Sequence, residues 1–256
     1  MASPRLFLES DLAPGAAAAL DEAQRHYLER VLRLGAGARL RLFNGRDGEF
    51  AAELTGGGRQ LALQVGPRLR SQPPAPDLRL LFAPLKRQAT DWLVEKASEL
   101  GVSRLQPVLT RRTVAERVRV DRLRLVAREA AEQCERLSLP EIAEAIPLGT
   151  ALDGWDPQAP LLFADEAGDD AQAPWGGPLG RARPLAEVLE GVRAVQTLAV
   201  LIGPEGGFHA EERRWLRGLA FVTPVSLGPR ILRAETAGVA ALSLAQALWG
   251  DWRAPL

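Results

Sequence analysis

Short apolar runs alternate with segments of helical spacing from residue 78 onward, and this alternation restricts the possible folds more than any other feature. Five runs predict buried strands, at 78–84, 104–109, 161–165, 198–203 and 221–228. Four segments predict helices, at about 90–100, 121–137, 210–219 and 234–249, with Thr90 or Asp91 as the first cap and Gly101 as the first stop. Strands that alternate with helices are typical of an α/β domain built on a parallel sheet.

The first 70 residues follow a different, β-rich pattern. Apolar and polar residues alternate over 38–43, 49–54 and 60–65, and glycine-containing turns separate these runs. Short strands with tight turns predict a small β-barrel or sheet that is built locally. Three prolines in seven residues mark the best boundary between two domains. The predicted boundaries are 1–70 for the first domain, 71–77 for the linker and 78–256 for the second domain.

Few residues suited to metal binding or disulfide formation are present. The single cysteine, Cys134, excludes an intramolecular disulfide and fits a reducing compartment. With only two histidines, His26 and His209, the sequence predicts no metal site. No apolar stretch approaches the ~20 residues that a membrane-spanning helix needs, and the first residues lack the pattern of a signal peptide. We therefore expect a cytoplasmic protein that binds no metal and no membrane.

The charge is balanced overall but unevenly distributed. Residues 1–128 contain 22 lysines and arginines against 14 aspartates and glutamates, and residues 129–256 contain 10 against 18. Eight arginines lie between Arg104 and Arg128, where Glu116 and Asp121 are the acidic residues. Such asymmetry favours a polyanionic partner, although a solvated helix face would have the same composition.

The strand predicted at 198–203 continues into the glycine-rich loop Gly203-Pro204-Glu205-Gly206-Gly207-Phe208. Ligands of parallel α/β sheets bind at the carboxyl ends of strands, where glycine lets the backbone approach a ligand closely. A plain strand-to-helix turn needs fewer glycines, so the sequence predicts a ligand-binding loop. The dinucleotide fingerprint, the P-loop and the nucleophile elbow are all missing.

A second polar stretch follows the strand predicted at 221–228. Arg230 and Arg233 flank two apolar residues, and Glu235 and Thr236 lie in the first turn of the last predicted helix. Helix-dipole placement and capping could each explain one residue of the Glu-Thr pair. Two arginines so close to a strand end concentrate positive charge at the ligand edge.

These motifs together resemble those of the RsmE family, bacterial 16S rRNA (uracil-N3)-methyltransferases of the SPOUT superfamily. The similarity rests on LIGPEGGF at 201–208, LGPRILRAETA at 227–237, EKASELGV at 95–102 and EAAEQC at 129–134. The segment RHYLERVLRLGAGARLRLFNG at 25–45 looks like the PUA-like RNA-binding domain of that family. The resemblance covers nearly the whole chain, and it includes the order in which the motifs occur.

The resemblance implies a fold that the residue patterns do not indicate. Chains rarely thread their own loops, so the patterns alone predict an unknotted doubly wound sheet. SPOUT enzymes have a deep trefoil knot in the C-terminal chain, which implies a knot at about 198–250 here. The resemblance also implies a homodimer, an N-terminal PUA-like β-barrel and an assembled small ribosomal subunit carrying the 16S rRNA substrate.

The resemblance further implies that three loops hold S-adenosylmethionine, with S-adenosylhomocysteine as the product. The residues implied at the cofactor are Phe163, Ala164, Leu201, Ile202, Gly203, Pro204, Glu205, Gly206, Gly207, Leu227, Gly228, Ile231 and Leu232. Methylation of uridine N3 develops oxyanion charge, which a guanidinium can stabilise. Arg233 is the first candidate for this role and Arg230 the second, and Glu235 is either the general base or an orienter of Arg233.

RNA contacts are predicted mainly in the N-terminal domain. The candidates are Arg5, His26, Arg30, Arg33, Lys86 and Arg87. For His26 a structural role is an equally good interpretation, and for Arg30 and Arg33 surface solvation competes with RNA binding.

The sequence also departs from the family pattern in three places. Glu135 follows EQC where the family usually has glycine, and His209 lies where a Ser or Thr cap is usual, so we expect the helix after His209 to lose some capping. The segment 166–191 is longer than the family norm and is predicted to be a surface loop or insertion.

Three alternative functions compete with this interpretation. A related SPOUT enzyme acting on tRNA or another rRNA position should lack the N-terminal module. A non-catalytic RNA-binding or ribosome-assembly factor should have lost the glycine loop and the Arg233–Glu235 segment. A Rossmann-type oxidoreductase is disfavoured by the missing fingerprint.

Overall fold

The computed structural model describes residues 3–114, 117–165, 182–192 and 195–253 of the 256-residue chain. These residues form two compact units. Unit 1 comprises Met1–Pro74 and Ala131–Leu139, and unit 2 comprises Ala75–Ala130 and Pro140–Leu256. No helix within the described ranges is both long and apolar enough to cross a membrane.

Unit 1 is built on a β-sheet, as its alternating pattern predicts. Its strands are β1 (Arg5–Phe7), β2 (Ala17–Ala19), β3 (Arg39–Phe43), β4 (Glu49–Thr55) and β5 (Ala62–Arg70). The described strands pair in the order β1-β3-β4-β5-β2, and only β1 with β3 is parallel. Helix α1 (Glu22–His26) continues into a π-helical turn, Tyr27–Val31. The strands expected near 38–43 and 49–54 are confirmed, whereas β5 starts later than predicted and extends to Arg70.

The core of unit 1 explains why the strand pattern alternates. Leu40 and Leu42 on β3 and Leu54 on β4 are almost fully buried, and Leu63 and Val65 on β5 complete the same cluster. Successive side chains of a strand point to opposite faces, so every second residue must be apolar to fill this core.

Arg5 lies inside unit 1 and holds the segment Ala131–Leu139. Its guanidinium donates to Glu49 Oε1 at 2.7 Å, to the carbonyl of Ala131 at 2.7 Å and to that of Arg136 at 2.9 Å. It also lies 4.4 Å from the ring centroid of Phe43. The Arg5 side chain is only 4% exposed. The predicted RNA contact of Arg5 is therefore corrected to a structural role, because its donors are used within the unit.

Glu135 occupies a backbone conformation that favours glycine. Its φ angle is 62°, and its carboxylate lies 3.9 Å from Arg41 and 3.8 Å from Arg70. The left-handed conformation crowds a Cβ atom, so glycine would occupy this position without that strain. The exposed ion pairs offset only part of this cost.

We expect Glu135→Gly to be more stable than Glu135→Ala by about 1 kcal/mol, because only the alanine retains the backbone strain. The difference corresponds to a melting-temperature gap of roughly 2–4 °C in a protein of this size. Differential scanning fluorimetry measures it. As a control, glycine should be less stable than alanine at Gln133, which has helical backbone geometry. Equal melting temperatures for the two Glu135 variants would show that the strain is absent.

Glu49 is the buried anion of unit 1. Burial alone would raise its pKa, but hydrogen bonds from Arg70 and Arg5 outweigh that effect and lower the pKa below its ordinary value. A lowered folded-state pKa contributes stability that is present above the unfolded pKa, about 4.3, and is lost as the pH falls through the folded value.

The melting temperature of the protein should therefore fall as the pH drops below about 4, partly through Glu49. Glu49→Gln should melt lower at pH 7, because the ion pairs are lost, and should show a smaller further decrease on acidification. Circular dichroism melts from pH 7 to pH 3 test this, with exposed Glu53→Gln on the same strand as control. Parallel pH curves for Glu49→Gln and the unsubstituted protein would refute the role of Glu49.

Unit 2 contains a parallel sheet with helices, as the alternating pattern predicts. Its strands are β6 (Asp77–Phe82), β7 (Arg104–Leu109), β8 (Glu141–Ile142), β9 (Ile146–Pro147), β10 (Leu161–Ala164), β11 (Arg183–Pro184), β12 (Thr197–Ile202) and β13 (Val222–Ser226). Its helices are α2 (Arg87–Glu99), α3 (Val120–Gln133, ending in unit 1), α4 (Leu148–Leu152), α5 (Leu185–Gly191), α6 (Ala210–Arg217) and α7 (Ala234–Leu248). Most of the predicted loop at 166–191 lies outside the described residues, but 185–191 is helical rather than loop.

Two helix ends in unit 2 differ in how well they were predicted. Helix α2 begins at Arg87, so the expected cap at Thr90 or Asp91 is wrong by about one turn. The Thr90 hydroxyl instead bonds to the backbone N–H and C=O of Leu85, and this fixes the strand-to-helix turn. Gly101 is confirmed as the stop, with φ of +78° after the last turn of α2.

Strand order determines which loops of unit 2 are neighbours. The described strands are arranged as β11-β13-β10-β12-β6-β7-β8, with β9 pairing to β7. All of these pairs are parallel. The carboxyl ends of β13, β10, β12 and β6 therefore lie side by side at one edge.

Candidate active site

The site lies where three adjacent strands of unit 2 end. Strand β10 is central, with Phe163 opposite Leu201 of β12 and Ala164 opposite Val225 of β13. The carboxyl ends of the three strands are therefore adjacent at the same edge. The described residues thus place side by side the starting points of the three loops that are assigned to the cofactor from the sequence.

The glycine loop after β12 depends on close packing against an aromatic ring. A Cβ atom added to Gly203 would lie 2.5 Å from Cε2 of Phe208, so no side chain fits there. Phe208 packs edge-to-face on Phe163, with ring centroids 4.9 Å apart. Phe163 and Leu201 are fully buried behind the loop, so they support the site from the core. Ile202 is also buried.

The exposed part of the loop, from Glu205 to Gly207, is held by neighbouring segments. Arg112 donates to the carbonyl of Gly206 at 2.8 Å. The Glu205 carboxylate accepts from the Lys86 backbone N–H at 3.4 Å. A turn bond from Gly207 N–H to the Pro204 carbonyl closes the loop, and Gly207 has φ of +66°. Arg112 is not among the site residues predicted from the sequence, although its position shortly after the strand at 104–109 placed it near the same edge.

His209 caps helix α6, so the expected loss of capping is wrong. Its Nδ1 accepts from the Glu211 N–H at 3.3 Å, and the Glu212 carboxylate accepts from the His209 N–H at 3.0 Å. Glu212 also accepts from the Arg111 N–H at 2.8 Å. An imidazole nitrogen replaces the hydroxyl oxygen of a usual cap, because both are acceptors at similar reach.

Asp165 anchors the end of β10 and was not predicted as a site residue. Its side chain is 2% exposed and accepts from Arg213 at 2.8 and 3.1 Å and from Arg217 at 2.9 Å. Its own N–H donates to the Val225 carbonyl at 3.1 Å. A buried carboxylate held by two guanidiniums restricts the backbone directly after Ala164. The signal in the sequence was an aspartate directly following an apolar strand.

The loop after β13 presents apolar and cationic groups together. Ile231 is 77% exposed, and Leu227 and Leu232 are half-buried. Gly228 has φ of +107° and open space where a Cβ atom would lie. Arg230 and Arg233 are exposed, and Arg233 is the N-terminal cap residue of α7.

Glu235 lies half-buried in the first turn of α7. Among the described residues, the side chains of Arg230, Arg233 and Glu235 form no hydrogen bond or ion pair with a protein group. Glu235 and Arg233 thus form no ion pair with each other in the described part of the chain.

The remaining predicted RNA-binding residues are distributed over both units. Lys86 and Arg87 are exposed at the start of α2 in unit 2. In unit 1, His26 ends α1, Arg30 lies in the π-helical turn, and Arg33 follows it with φ of +55°. All three are exposed. The described part of the chain contains no group of three or more His, Cys, Asp or Glu residues arranged to hold a metal ion.

Comparison with known proteins agrees with this arrangement. Residues 72–246 match the RNA methyltransferase domain family, and residues 20–65 match the RNA methyltransferase PUA domain. The chain is 30% identical to ribosomal RNA small subunit methyltransferase E of Rickettsia conorii, over 93% of each chain. It is 32% identical to the Synechocystis protein of the same name, over 95% of this chain and 77% of that one.

A solved structure agrees as well. The ribosomal RNA small subunit methyltransferase E of Neisseria gonorrhoeae, bound to S-adenosyl methionine, superimposes with a TM-score of 0.84. The sequences are 26% identical, and the match covers 98% of this chain and 100% of that one.

The parallel sheet, the glycine loop at its carboxyl edge and the N-terminal PUA-like unit define an RNA methyltransferase. Within this class, the chain belongs to the family of ribosomal RNA small subunit methyltransferase E. The resemblance to the RsmE family noted from the sequence motifs is thereby confirmed.

The packing of Gly203 predicts a position-specific effect of alanine within one loop. Gly203→Ala should lower the melting temperature by several degrees, because the new Cβ atom displaces the buried Phe208 ring. Gly206→Ala is the matched control, since its Cβ atom would meet only Arg112 at 3.8 Å. Thermal melts of both variants measure the difference. Equal melting temperatures would show that the loop does not depend on this aromatic contact.

Proposed function

We propose that the protein transfers a methyl group from S-adenosylmethionine to N3 of a specific uridine in small-subunit rRNA. The observation that carries the proposal is the pair of arginines in the loop after β13, at the edge that β13 shares with β10 and β12. Among the described residues these two side chains have no protein partner. Family membership supports the reaction class, and the names of the relatives support the rRNA substrate.

The residues at this edge fit the cofactor chemically. Exposed Ile231 and half-buried Leu227 and Leu232 form an apolar surface that an adenosine moiety would cover. Gly206 and Gly228 leave room for close approach to the backbone. The cofactor residues are those given in the sequence analysis, except that Phe163, Leu201 and Ile202 act as buried support. When bound, the cofactor supplies an electrophilic methyl group on a sulfonium, and S-adenosylhomocysteine remains after transfer.

Arg233 and Arg230 stabilise the uridine in its reactive form. Loss of the N3 proton spreads negative charge over the two flanking carbonyl oxygens, and a guanidinium fork can donate to such an oxygen. Arg233 is the principal catalytic residue in this proposal because it is the N-terminal cap residue of α7, at the end of the loop that follows β13. Arg230 is the second.

Glu235 is proposed as the general base. Because no hydrogen bond joins it to Arg233 among the described residues, an orienting role has less support than proton acceptance. Its half-buried position in the first turn of α7 leaves part of the carboxylate accessible to a substrate.

The chain topology supports a trefoil knot at about 198–250 in this proposal. Strands β12 and β13 lie on opposite sides of β10, so the chain passes β10 between them. Helix α7 then returns to pack against α2, where Gly238 allows close approach to Leu93. The proposal also includes a homodimer, as the resemblance implies.

The N-terminal PUA-like domain is the proposed RNA reader and forms a small β-barrel. His26, Arg30 and Arg33 are its candidate contacts, since all three are exposed on one continuous segment. The proposed domains are 1–70, the linker 71–77 and 78–256, with the segment Ala131–Leu139 packing in unit 1. The substrate is rRNA within an assembled small subunit, and the protein acts in the cytoplasm.

A methylation assay tests the reaction and the substrate together. The purified protein is mixed with isotope-labelled S-adenosylmethionine and small subunits from a strain lacking the gene. The digested nucleosides are then identified by mass spectrometry. Labelled N3-methyluridine is the expected product. Cofactor binding without a methylated small-subunit nucleoside would overturn the substrate assignment and direct the assay to tRNA.

Arg233→Ala should lose 10²–10³-fold in turnover, roughly the effect of removing one donor to a developing oxyanion. Its cofactor affinity, measured by calorimetry, should stay close to that of the unsubstituted protein. Arg233→Lys keeps the charge but not the fork, and it should recover only part of the rate. Unchanged turnover in Arg233→Ala would refute the catalytic role, and loss of cofactor binding would reassign Arg233 to the cofactor.

A further inference from the structure

Unit 2 contains a cavity with several charged side chains in its lining, near the site described above. It has a volume of about 270 Å³ and lies between the end of β6, the first turn of α2 and residues 117–123. The side chains that determine its charge are Lys86, Arg87, Asp91, Arg117, Arg119 and Arg122. Its volume is several times that of one water molecule in the liquid, about 30 Å³, so a phosphate group fits.

The cavity has a strong excess of positive charge. Asp91 is its acidic residue, and the Arg122 guanidinium already binds it at 2.7 and 2.9 Å. Within the described parts of the chain, the side chains of Lys86, Arg87, Arg117 and Arg119 form no ion pair. Four cations therefore line one cavity whose described carboxylate, Asp91, is already paired with Arg122. Their mutual repulsion is relieved when an anion binds.

The backbone of α2 adds donors to the same cavity. Lys86 is the cap residue of α2 and provides no side-chain cap, while the Thr90 hydroxyl is bonded to Leu85 instead. The first backbone N–H groups of α2 thus have no partner within the helix. Free N–H groups and the positive end of the helix dipole both favour an anion at this position, in addition to the four side chains.

The cavity adjoins the glycine loop. Strand β6 pairs with β12, and the Ala83 N–H donates to the Ile202 carbonyl at 2.9 Å directly before the loop. The Lys86 N–H points to the Glu205 carboxylate of the loop. An anion in the cavity therefore lies next to the loop that holds the methyl donor in the proposed function.

We propose that this cavity binds a backbone phosphate of the substrate RNA next to the target uridine, through Arg117 and Arg119 together with Lys86 and Arg87. The inference rests on the proposed function, because it takes RNA as the substrate. Phosphates are the main anions of RNA, and arginine forks match their geometry. The contact fixes the strand while the base enters the site, so it contributes to substrate affinity and not to the chemical step.

Filter binding of small subunits, taken from a strain lacking the gene, tests the cavity. Arg117→Ala/Arg119→Ala should weaken binding about tenfold near 0.1 M salt and lower the slope of log K against log salt by about 1. Arg117→Lys/Arg119→Lys should keep most of the slope. The control, Arg104→Ala/Arg253→Ala, removes two cations at the opposite end of unit 2 and should bind like the unsubstituted protein.

The readouts separate the inference from the proposed function. Calorimetry should give the same cofactor affinity for Arg117→Ala/Arg119→Ala, and turnover at saturating subunits should be retained while KM rises. An unchanged dissociation constant and salt slope would overturn the cavity proposal even if N3-methyluridine forms. A reduced slope without any methylated product would support the cavity and overturn the reaction. If inorganic phosphate at millimolar concentration competed with subunit binding as well as RNA phosphate does, the cavity would be a site for free anions. That result would refute the proposal.

Discussion

The pairing of β10 with both β12 and β13 is the constraint on which the candidate active site depends. Thirty-two residues separate β10 from β12 and 19 separate β12 from β13, yet parallel pairing aligns their carboxyl ends. Because ligands of such sheets bind beyond the carboxyl ends, one short central strand decides which loops can act together. Phe163 and Leu201 at the ends of β10 and β12 pack into the hydrophobic core that supports the glycine loop.

Polar anchors then restrict the loops that the strands bring together. Asp165 is held by two arginines of α6, and the Gly206 carbonyl accepts from Arg112. Of these two anchors only Asp165 is buried, and a buried charged hydrogen bond restricts the adjoining backbone more than an exposed one does, because solvent screens it less. The backbone at the end of β10 is therefore held before a ligand arrives, which reduces the ordering cost of binding there.

The hydrogen-bond and ion-pair partners of each arginine side chain distinguish structural from functional arginines in this arginine-rich protein. Arg5 is buried and Arg213 is mostly buried, each against a carboxylate, so their charges are already balanced. Arg233 and Arg117 are exposed and without ion pairs in the part of the chain that the structure describes. Only the second kind can respond to a substrate. The sequence treats all four alike, because the neighbours of an arginine depend on contacts far away in the chain.

The sequence by itself determined the classes of the two domains, most strand positions, the glycine loop and the family. Local periodicity encodes strands and helices, and the motifs lie in continuous segments such as 201–208 and 227–237. The tertiary structure alone decided the structural role of Arg5, the packing of Ala131–Leu139 into unit 1 and the anchoring of Asp165. It also decided that His209 caps its helix and that Glu135 adopts a positive φ. The physical reason is that burial and hydrogen-bond partners arise between residues distant in sequence, where no local pattern records them.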